Sequence, residues 1–138
     1  MIVLDTNVLS EAMKPSPDHA VARWMMRERG RGLFTTALSE AEILHGIAIL
    51  PDGRRKRDLE AAAQGILALF AGRILPFDSL AAREFAAIVA DRRRLGQPID
   101  SFDAQIAAIT RAHSMSLATR DSQDFAETGL PIINPWRP

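Results

Sequence analysis

Cysteine is absent from this sequence. Disulfides and thiolate metal sites are therefore excluded, and a reducing compartment is compatible. Charge of neither sign is in excess: 17 basic and 17 acidic residues cancel, so overall charge does not announce a nucleic-acid binder. No apolar run approaches the ~18 residues of a membrane-spanning helix, and no basic segment leads into an apolar one near the start. Neither a span nor a signal peptide is expected, and the expected location is cytoplasmic. Repeats, low-complexity tracts and linker-like stretches are missing as well, which predicts a single domain over residues 1–138.

What remains is ordinary globular usage, 47% hydrophobic and 25% charged over 138 residues, long enough to bury close to ~70% of its unfolded surface. The chain is organised around its first stretch, Met1-Ile2-Val3-Leu4-Asp5-Thr6-Asn7-Val8. Ile2, Val3 and Leu4 read as a short strand buried on both faces. In open α/β sheets, ligands bind beyond the carboxyl ends of the strands. Asp5 stands at such an end, at the lip of the core, where losing water is costly and a partner is needed. It is a site candidate first and a structural residue second.

Strands and helices then alternate. A short helix is predicted from Val8 to Met13. Ser16-Pro17 is a start signal for a second helix over Asp18–Arg29: a capping side chain, then a proline whose missing N–H costs nothing there. Leu33–Thr36 reads as a strand. Helices follow from Ser39 to Leu50 and from Arg54 to Phe70, separated by Pro51-Asp52-Gly53. Arg73–Phe77 reads as a third strand, Asp78 or Ser79 opens a helix to about Leu95, and Gly96 and Pro98 close it. A helix over Ser101–His113, a strand at Ser116–Thr119, a helical turn at Ser122–Ala126 and a strand at Pro131–Ile133 complete the chain. Strands separated by helices argue for an α/β fold, a central parallel sheet of four to five strands with helices on both faces.

Four acids fall on one edge of that map. Asp5 follows the first strand, and Asp121 follows the fourth in Thr119-Arg120-Asp121. Glu42 is expected in the first turn of the helix after the second strand. Asp103 is expected in the first turn of the Ser101–His113 helix, beside an inward face of Phe102, Ile106, Ala107 and Ile109. Two carboxylates ~5 Å apart repel by about 3 kcal/mol at an effective dielectric near ~20. Convergence therefore requires shared protons or a divalent cation, and oxygen-only ligands suit Mg²⁺ or Mn²⁺ rather than zinc. Each acid also has an ordinary reading. Ser39-Glu40-Ala41-Glu42 is a formal capping box, Asp100 and Asp103 suit a helix N-terminus, and Asp121 can open the turn at Ser122. The joint pattern carries the signal.

The runs Leu4-Asp5-Thr6-Asn7-Val8-Leu9-Ser10-Glu11, Ala41-Glu42-Ile43-Leu44-His45-Gly46-Ile47, Asp103-Ala104-Gln105-Ile106-Ala107-Ala108 and Ala118-Thr119-Arg120-Asp121-Ser122-Gln123-Asp124-Phe125 together resemble the motifs of PIN domains, in that family's order and over essentially the whole chain. The closing Ile133-Asn134-Pro135-Trp136 resembles the FitB-like branch of the VapC toxins. The resemblance implies a PIN-like three-layer α/β/α fold. It also implies a Mg²⁺-dependent ribonuclease, with Mn²⁺ able to substitute, acting as the toxin of a type II toxin–antitoxin pair. It carries over Asp5, Glu42, Asp103 and Asp121 as the catalytic acids, Asp5 and Asp103 as metal ligands, and Glu42 and Asp121 as further ones. The family often has Asn at the last position, so Asp121 either binds metal or orients water. Thr6, Asn7 and Thr119 would support the carboxylates; Asp124 is a weaker rim candidate and Asp100 a cap. Also implied are an RNA substrate, a homodimer, and a cognate antitoxin whose C-terminal segment wraps the toxin and carries the pair onto promoter DNA.

Further features are open to several readings. His45 follows Glu42 at the Glu-x-x-His spacing of di-iron bundles, which need two such motifs; one is present, so His45 reads as a helix residue. Arg54, Arg55 and Arg57, Arg92 and Arg93, and Arg120 are weak candidates for tracking an RNA backbone, a solvated helix end being the commoner role of such runs. Val21, Ala22, Trp24, Met25 and Met26, like Ile43, Leu44, Ile47, Ile49 and Leu50, exceed one helix face; much of this is simply core, and the surplus suits a groove for a partner helix. The helix around residues 79–95 and the neighbourhood of the first strand are expected to contribute to the homodimer contact, which periodicity does not assign. Two other functional classes stay open. One is a PIN-like scaffold that only binds RNA or protein. The other, less favoured, is an aspartyl-phosphate phosphotransferase, whose second acid would stand where this chain has Asn7.

Overall fold

Ile2, Val3 and Leu4 have no exposed surface in the computed structural model, which describes all 138 residues. They form β1 (Ile2–Leu4), the middle of a parallel sheet completed by β2 (Leu33–Thr36), β3 (Ile74–Leu75), β4 (Ser116–Ala118) and β5 (Ile132–Ile133). The strand order is β3-β2-β1-β4-β5, with Ile2 paired to Leu33 on one side and Ser116 on the other. Pleating sends alternate side chains to opposite faces. Ile2 and Leu4 meet α1 (Thr6–Ala12), α2 (His19–Glu28), α3 (Ala37–Ala48) and α4 (Arg54–Leu69), where Trp24, Ile43, Ile66 and Phe70 pack. Val3 meets α5 (Ser79–Arg94) and α6 (Ser101–Ala112) through Ala81, Ile88, Ile106 and Ile109. The result is the three-layer α/β/α arrangement expected from the alternation, with all five strands parallel. The chain leaves β1 toward β2 and leaves β4 toward β5, in opposite directions. A crevice opens beyond the strand ends at such a switch point.

Helix starts depart from the expected positions, and capping explains each case. α1 begins at Thr6 because Asp5 caps it, its Oδ1 accepting the Thr6 N–H at 2.8 Å. α2 begins at His19 under Asp18, which accepts from Ala20 and Val21; Ser16-Pro17 only leads in. α3 begins at Ala37, not Ser39, because the Thr36 side chain is the cap and accepts from the Ser39 N–H at 3.1 Å. β3 is shorter than Arg73–Phe77 since Pro76 has no N–H for a ladder. α5 ends in paired bonds from Gly96 N–H to Arg93 O and Gln97 N–H to Arg92 O, with Gly96 at a φ of 70° that favours glycine. No helix is long and apolar enough to cross a membrane.

Candidate active site

The side chains that follow β1 and β4 are tied to one another across the switch point. Thr119 Oγ1 donates to Asp5 Oδ2 at 2.7 Å, and accepts from Asn7 Nδ2 at 3.3 Å and from the Asp121 N–H at 3.0 Å. One hydrogen and two lone pairs are then all used. Asn7 extends the net: Nδ2 also donates to Asp121 Oδ2 at 3.1 Å, and Oδ1 accepts the Arg120 N–H at 3.2 Å. Thr6 Oγ1 lies 2.9 Å from Glu42 Oε1 and 3.0 Å from Ser39 Oγ. With one proton to give, it donates to the carboxylate, the stronger acceptor, and accepts from Ser39.

Around this net opens a polar cleft of about 390 Å³, and Asp5, Glu42, Asp103 and Asp121 all line it. Asn7, Ser10, Glu11 and Lys14 form one wall, spaced as one face of α1 and its continuation. Arg120 and Trp136 complete the lining. Ser10, Glu11, Lys14 and Trp136 were not among the expected site residues. The helical spacing from Asn7 is a signal that finds the first three; no periodicity points to Trp136.

Burial shapes the charges. Asp5 is 5% exposed, and its carboxyl lies above the ordinary carboxylate value. Loss of water is the main cause and repulsion from Glu42 and Asp121 adds to it, while the bonds from Thr119 and Thr6 pull the other way. The Asp103 carboxyl is pushed from 3.8 up to about 7, first by burial, then by repulsion from Asp5, Asp100, Asp124 and Glu42. No three acidic or histidine side chains stand close enough to make a ready cage for an ion. The donor set still fits a hard cation: it is all oxygen, and its members repel one another. Mg²⁺ keeps several of its waters and takes one or two carboxylates, so Asp5 and Asp103 could hold it directly, with Glu42 and Asp121 acting through water. Zinc sites usually include nitrogen or sulfur among their ligands, and neither histidine nor cysteine lines the cleft; His45 opens instead on a neighbouring cavity with Asp100 and Phe102.

Glu42, Asp103 and Asp121 do not fill the ordinary capping roles considered for them. Glu42 sits in the second turn of α3, since that helix starts at Ala37, and Thr6 holds its carboxylate; the capping box at Ser39 does not form. Asp121 precedes the 3-10 turn Ser122–Phe125 without capping it. Asp100 caps α6 by accepting from Phe102 and Asp103 N–H groups at 2.9 and 3.3 Å, which leaves Asp103 without that duty. Phe102, expected to face inward, is 41% exposed. Asp124 is exposed and outside the cleft lining, acting there only through its charge on Asp103.

Arg92 corrects an expectation. Instead of tracking RNA it is buried, with Nε donating to Gln97 O at 2.6 Å and Nη1 to Asp124 O and Ala126 O at 2.9 and 2.8 Å. It clamps the turn after Asp121 to the end of α5. Arg93, Arg54 and Arg57 are exposed, and Arg54 Nε lies 3.8 Å from Asp58. Arg55 borders an apolar groove of about 350 Å³ that runs from Thr6 and Glu42 past Met13, Ile47 and Leu59. A second groove, about 390 Å³, is lined by Met25, Met26, Ile66, Leu69 and Phe70. Of the surplus apolar residues, Val21 and Trp24 belong to the core, while Met26 and Ile49 are exposed.

A model of the PIN domain matches residues 2–130. The chain belongs to the PIN domain family. It is 42% identical over 139 residues to the VapC ribonuclease Y4jK of Sinorhizobium fredii, across 100% of this chain and 99% of that protein. It is 40% identical to the toxin FitB of Neisseria gonorrhoeae, across 99% of each. A solved structure of FitAB bound to an IR36 DNA fragment matches with a TM-score of 0.91 at 40% identity, covering 100% of this chain and 97% of that one. The five parallel strands between two helical layers are therefore those of the PIN fold.

Proposed function

We propose that this PIN protein is the toxin of a type II toxin–antitoxin pair and hydrolyses RNA phosphodiester bonds with Mg²⁺, for which Mn²⁺ can stand in. The observation that carries the reading is the meeting of Asp5, Glu42, Asp103 and Asp121, from four separate parts of the chain, on one cleft. Relatives named ribonuclease and toxin support the substrate class, and the FitAB complex on DNA supports an antitoxin partner that brings the pair to promoter DNA. When bound, Mg²⁺ would supply a Lewis acid for a phosphate oxygen and ease the loss of a proton from water. Asp5, aimed by Thr119 and the Thr6 N–H, would hold it together with Asp103. Glu42, fixed by Thr6, and Asp121, fixed by Asn7, orient water for in-line attack on phosphorus. The apolar groove that opens beside Glu42 is where an antitoxin segment would lie as it covers the acids, and α5 contributes to a homodimer. The protein acts in the cytoplasm.

Purified protein incubated with a structured RNA tests this. Cleavage should require Mg²⁺, stop with EDTA, return with excess cation, and be absent in a folded Asp103→Asn variant. Cleavage indifferent to EDTA would remove the metal scheme. RNA that is bound and never cut would leave only a binding scaffold.

A further inference from the structure

Two cations line the acid cleft, Lys14 and Arg120. Lys14 is engaged, its Nζ lying 2.8 Å from Oε2 of the buried Glu11. Arg120 is not. Five carboxylates line the same cleft, yet its side chain joins none of the ion pairs of the molecule. The guanidinium lies instead over the Trp136 ring, 4.9 Å from its centroid, while Asn7 Oδ1 accepts the Arg120 backbone N–H at 3.2 Å. A guanidinium held against an aromatic face keeps its N–H fork available for phosphate.

Trp136 is well placed to hold it. The ring is half-buried, packs against the core on the α1–α4 side, and is the one apolar side chain to reach the cleft. Its backbone is fixed by a 3.0 Å bond from the Trp136 N–H to Asn134 Oδ1 and by the buried Pro135. Without the indole, attraction to Asp5 and Asp121 would draw the guanidinium down among the acids. It would then neutralise the groups that a cation needs and lose its own phosphate-binding donors.

We infer that Arg120 binds a phosphate of the RNA beside the bond being cut, and that Trp136 is the positioning residue that holds Arg120 clear of the carboxylates. The inference rests on the ribonuclease reading above. The test is binding of a short mixed-sequence RNA in EDTA, followed by anisotropy over a range of salt, with Mg²⁺-dependent cleavage by the same proteins measured alongside. Arg120→Gln should weaken binding about tenfold and lower the slope of log affinity against log salt by about 0.7, the loss of one phosphate contact on a single strand. Its KM should rise while kcat stays within about twofold. Arg120→Lys should keep the slope and still bind less tightly, whereas Trp136→Leu, which lets the guanidinium fall among the acids, should lower both affinity and slope toward the Arg120→Gln values, with Trp136→Phe intermediate. RNA should also change tryptophan emission in the wild type, a signal from Trp136 because the only other tryptophan, Trp24, is 2% exposed.

An Arg120→Gln protein with unchanged affinity and slope overturns the inference, as does emission unmoved at saturating RNA. Loss of antitoxin capture with RNA binding intact would assign the pair to protein docking and also overturn it. If the wild type cuts RNA while Arg120→Gln is normal, only this inference falls. If the wild type neither binds nor cuts RNA with any divalent cation, the ribonuclease reading fails first.

Discussion

Asp5 and Thr119 lie 114 positions apart and share a 2.7 Å hydrogen bond. The bond spans the β1–β4 boundary, so the central pairing of the sheet and the most buried acid of the cleft belong to one piece of structure. Thr119→Val keeps the shape and removes the hydroxyl, leaving Asp5 Oδ2 and the Asp121 N–H without that partner. We expect a loss of about 2 kcal/mol of stability. The Asp5 carboxyl should move further above its ordinary value, because the Thr119 bond lowers it, and Mg²⁺ should bind less tightly at neutral pH. Thr119→Ser should restore most of both. Denaturant unfolding and a calorimetric Mg²⁺ titration check the pair of variants.

The Asp103 carboxyl, at about 7 instead of 3.8, makes the cation-free protein pH-sensitive. Between those values the folded chain keeps a proton that the unfolded chain has released, so stability falls as pH rises from about 4 to about 7. Asp5 shifts in the same direction. Asp103→Asn removes one charge from the crowded set. The variant should melt higher than the wild type at about pH 8 in EDTA, and the difference should shrink toward about pH 4, while cleavage is lost. Thermal melts of both proteins across this range decide it; a gap that widens toward acid contradicts the assignment.

Cation binding should reverse that sensitivity. A ligand that binds only the folded state stabilises it by about 2.7 kcal/mol at a hundred times its Kd. Mg²⁺ should therefore raise the wild-type melting temperature most at neutral to alkaline pH, where the acids of the cleft are ionised, and EDTA should cancel the rise. Asp5→Asn and Asp103→Asn should show little shift. An equal shift in all three proteins would place the ion elsewhere.

Much of this architecture is legible in the chain because its signals are local. Ile2-Val3-Leu4 before Asp5 marks a buried strand and the acid at its cleft end within four residues, and Thr119-Arg120-Asp121 does the same for β4. The start of α3 is not legible in this way. Thr36-x-x-Ser39 and Ser39-x-x-Glu42 are both acceptable caps, and the choice is tied to the Thr6–Glu42 bond, whose partners are 36 positions apart. The wall of Asn7, Ser10, Glu11 and Lys14 is a helical face that can be read from spacing alone, whereas Trp136 reaches the cleft only through folding of the C-terminal segment. Arg92 and Arg93 are the same letter in the same run. What separates them is a turn some thirty residues later, whose carbonyls need donors that only a tertiary contact supplies.

That separation gives the sharpest contrast between two adjacent residues. Arg92 is 6% exposed and donates to three backbone carbonyls, those of Gln97, Asp124 and Ala126. Arg92→Ala strands those carbonyls and opens a gap beneath the Ser122–Phe125 turn, so a loss of about 3 kcal/mol is expected. Arg92→Lys keeps the charge but cannot span three acceptors with one point of donors, and should recover less than half of that loss. Arg93→Ala, at an exposed neighbour, should change stability by no more than about 0.5 kcal/mol. The turn follows directly on Asp121, so Arg92→Ala should also lower cleavage in the fraction that remains folded. Urea unfolding of the three variants measures the first effect, and activity per folded molecule measures the second. Equal stability losses for Arg92→Ala and Arg93→Ala would mean that the buried clamp contributes nothing to the fold.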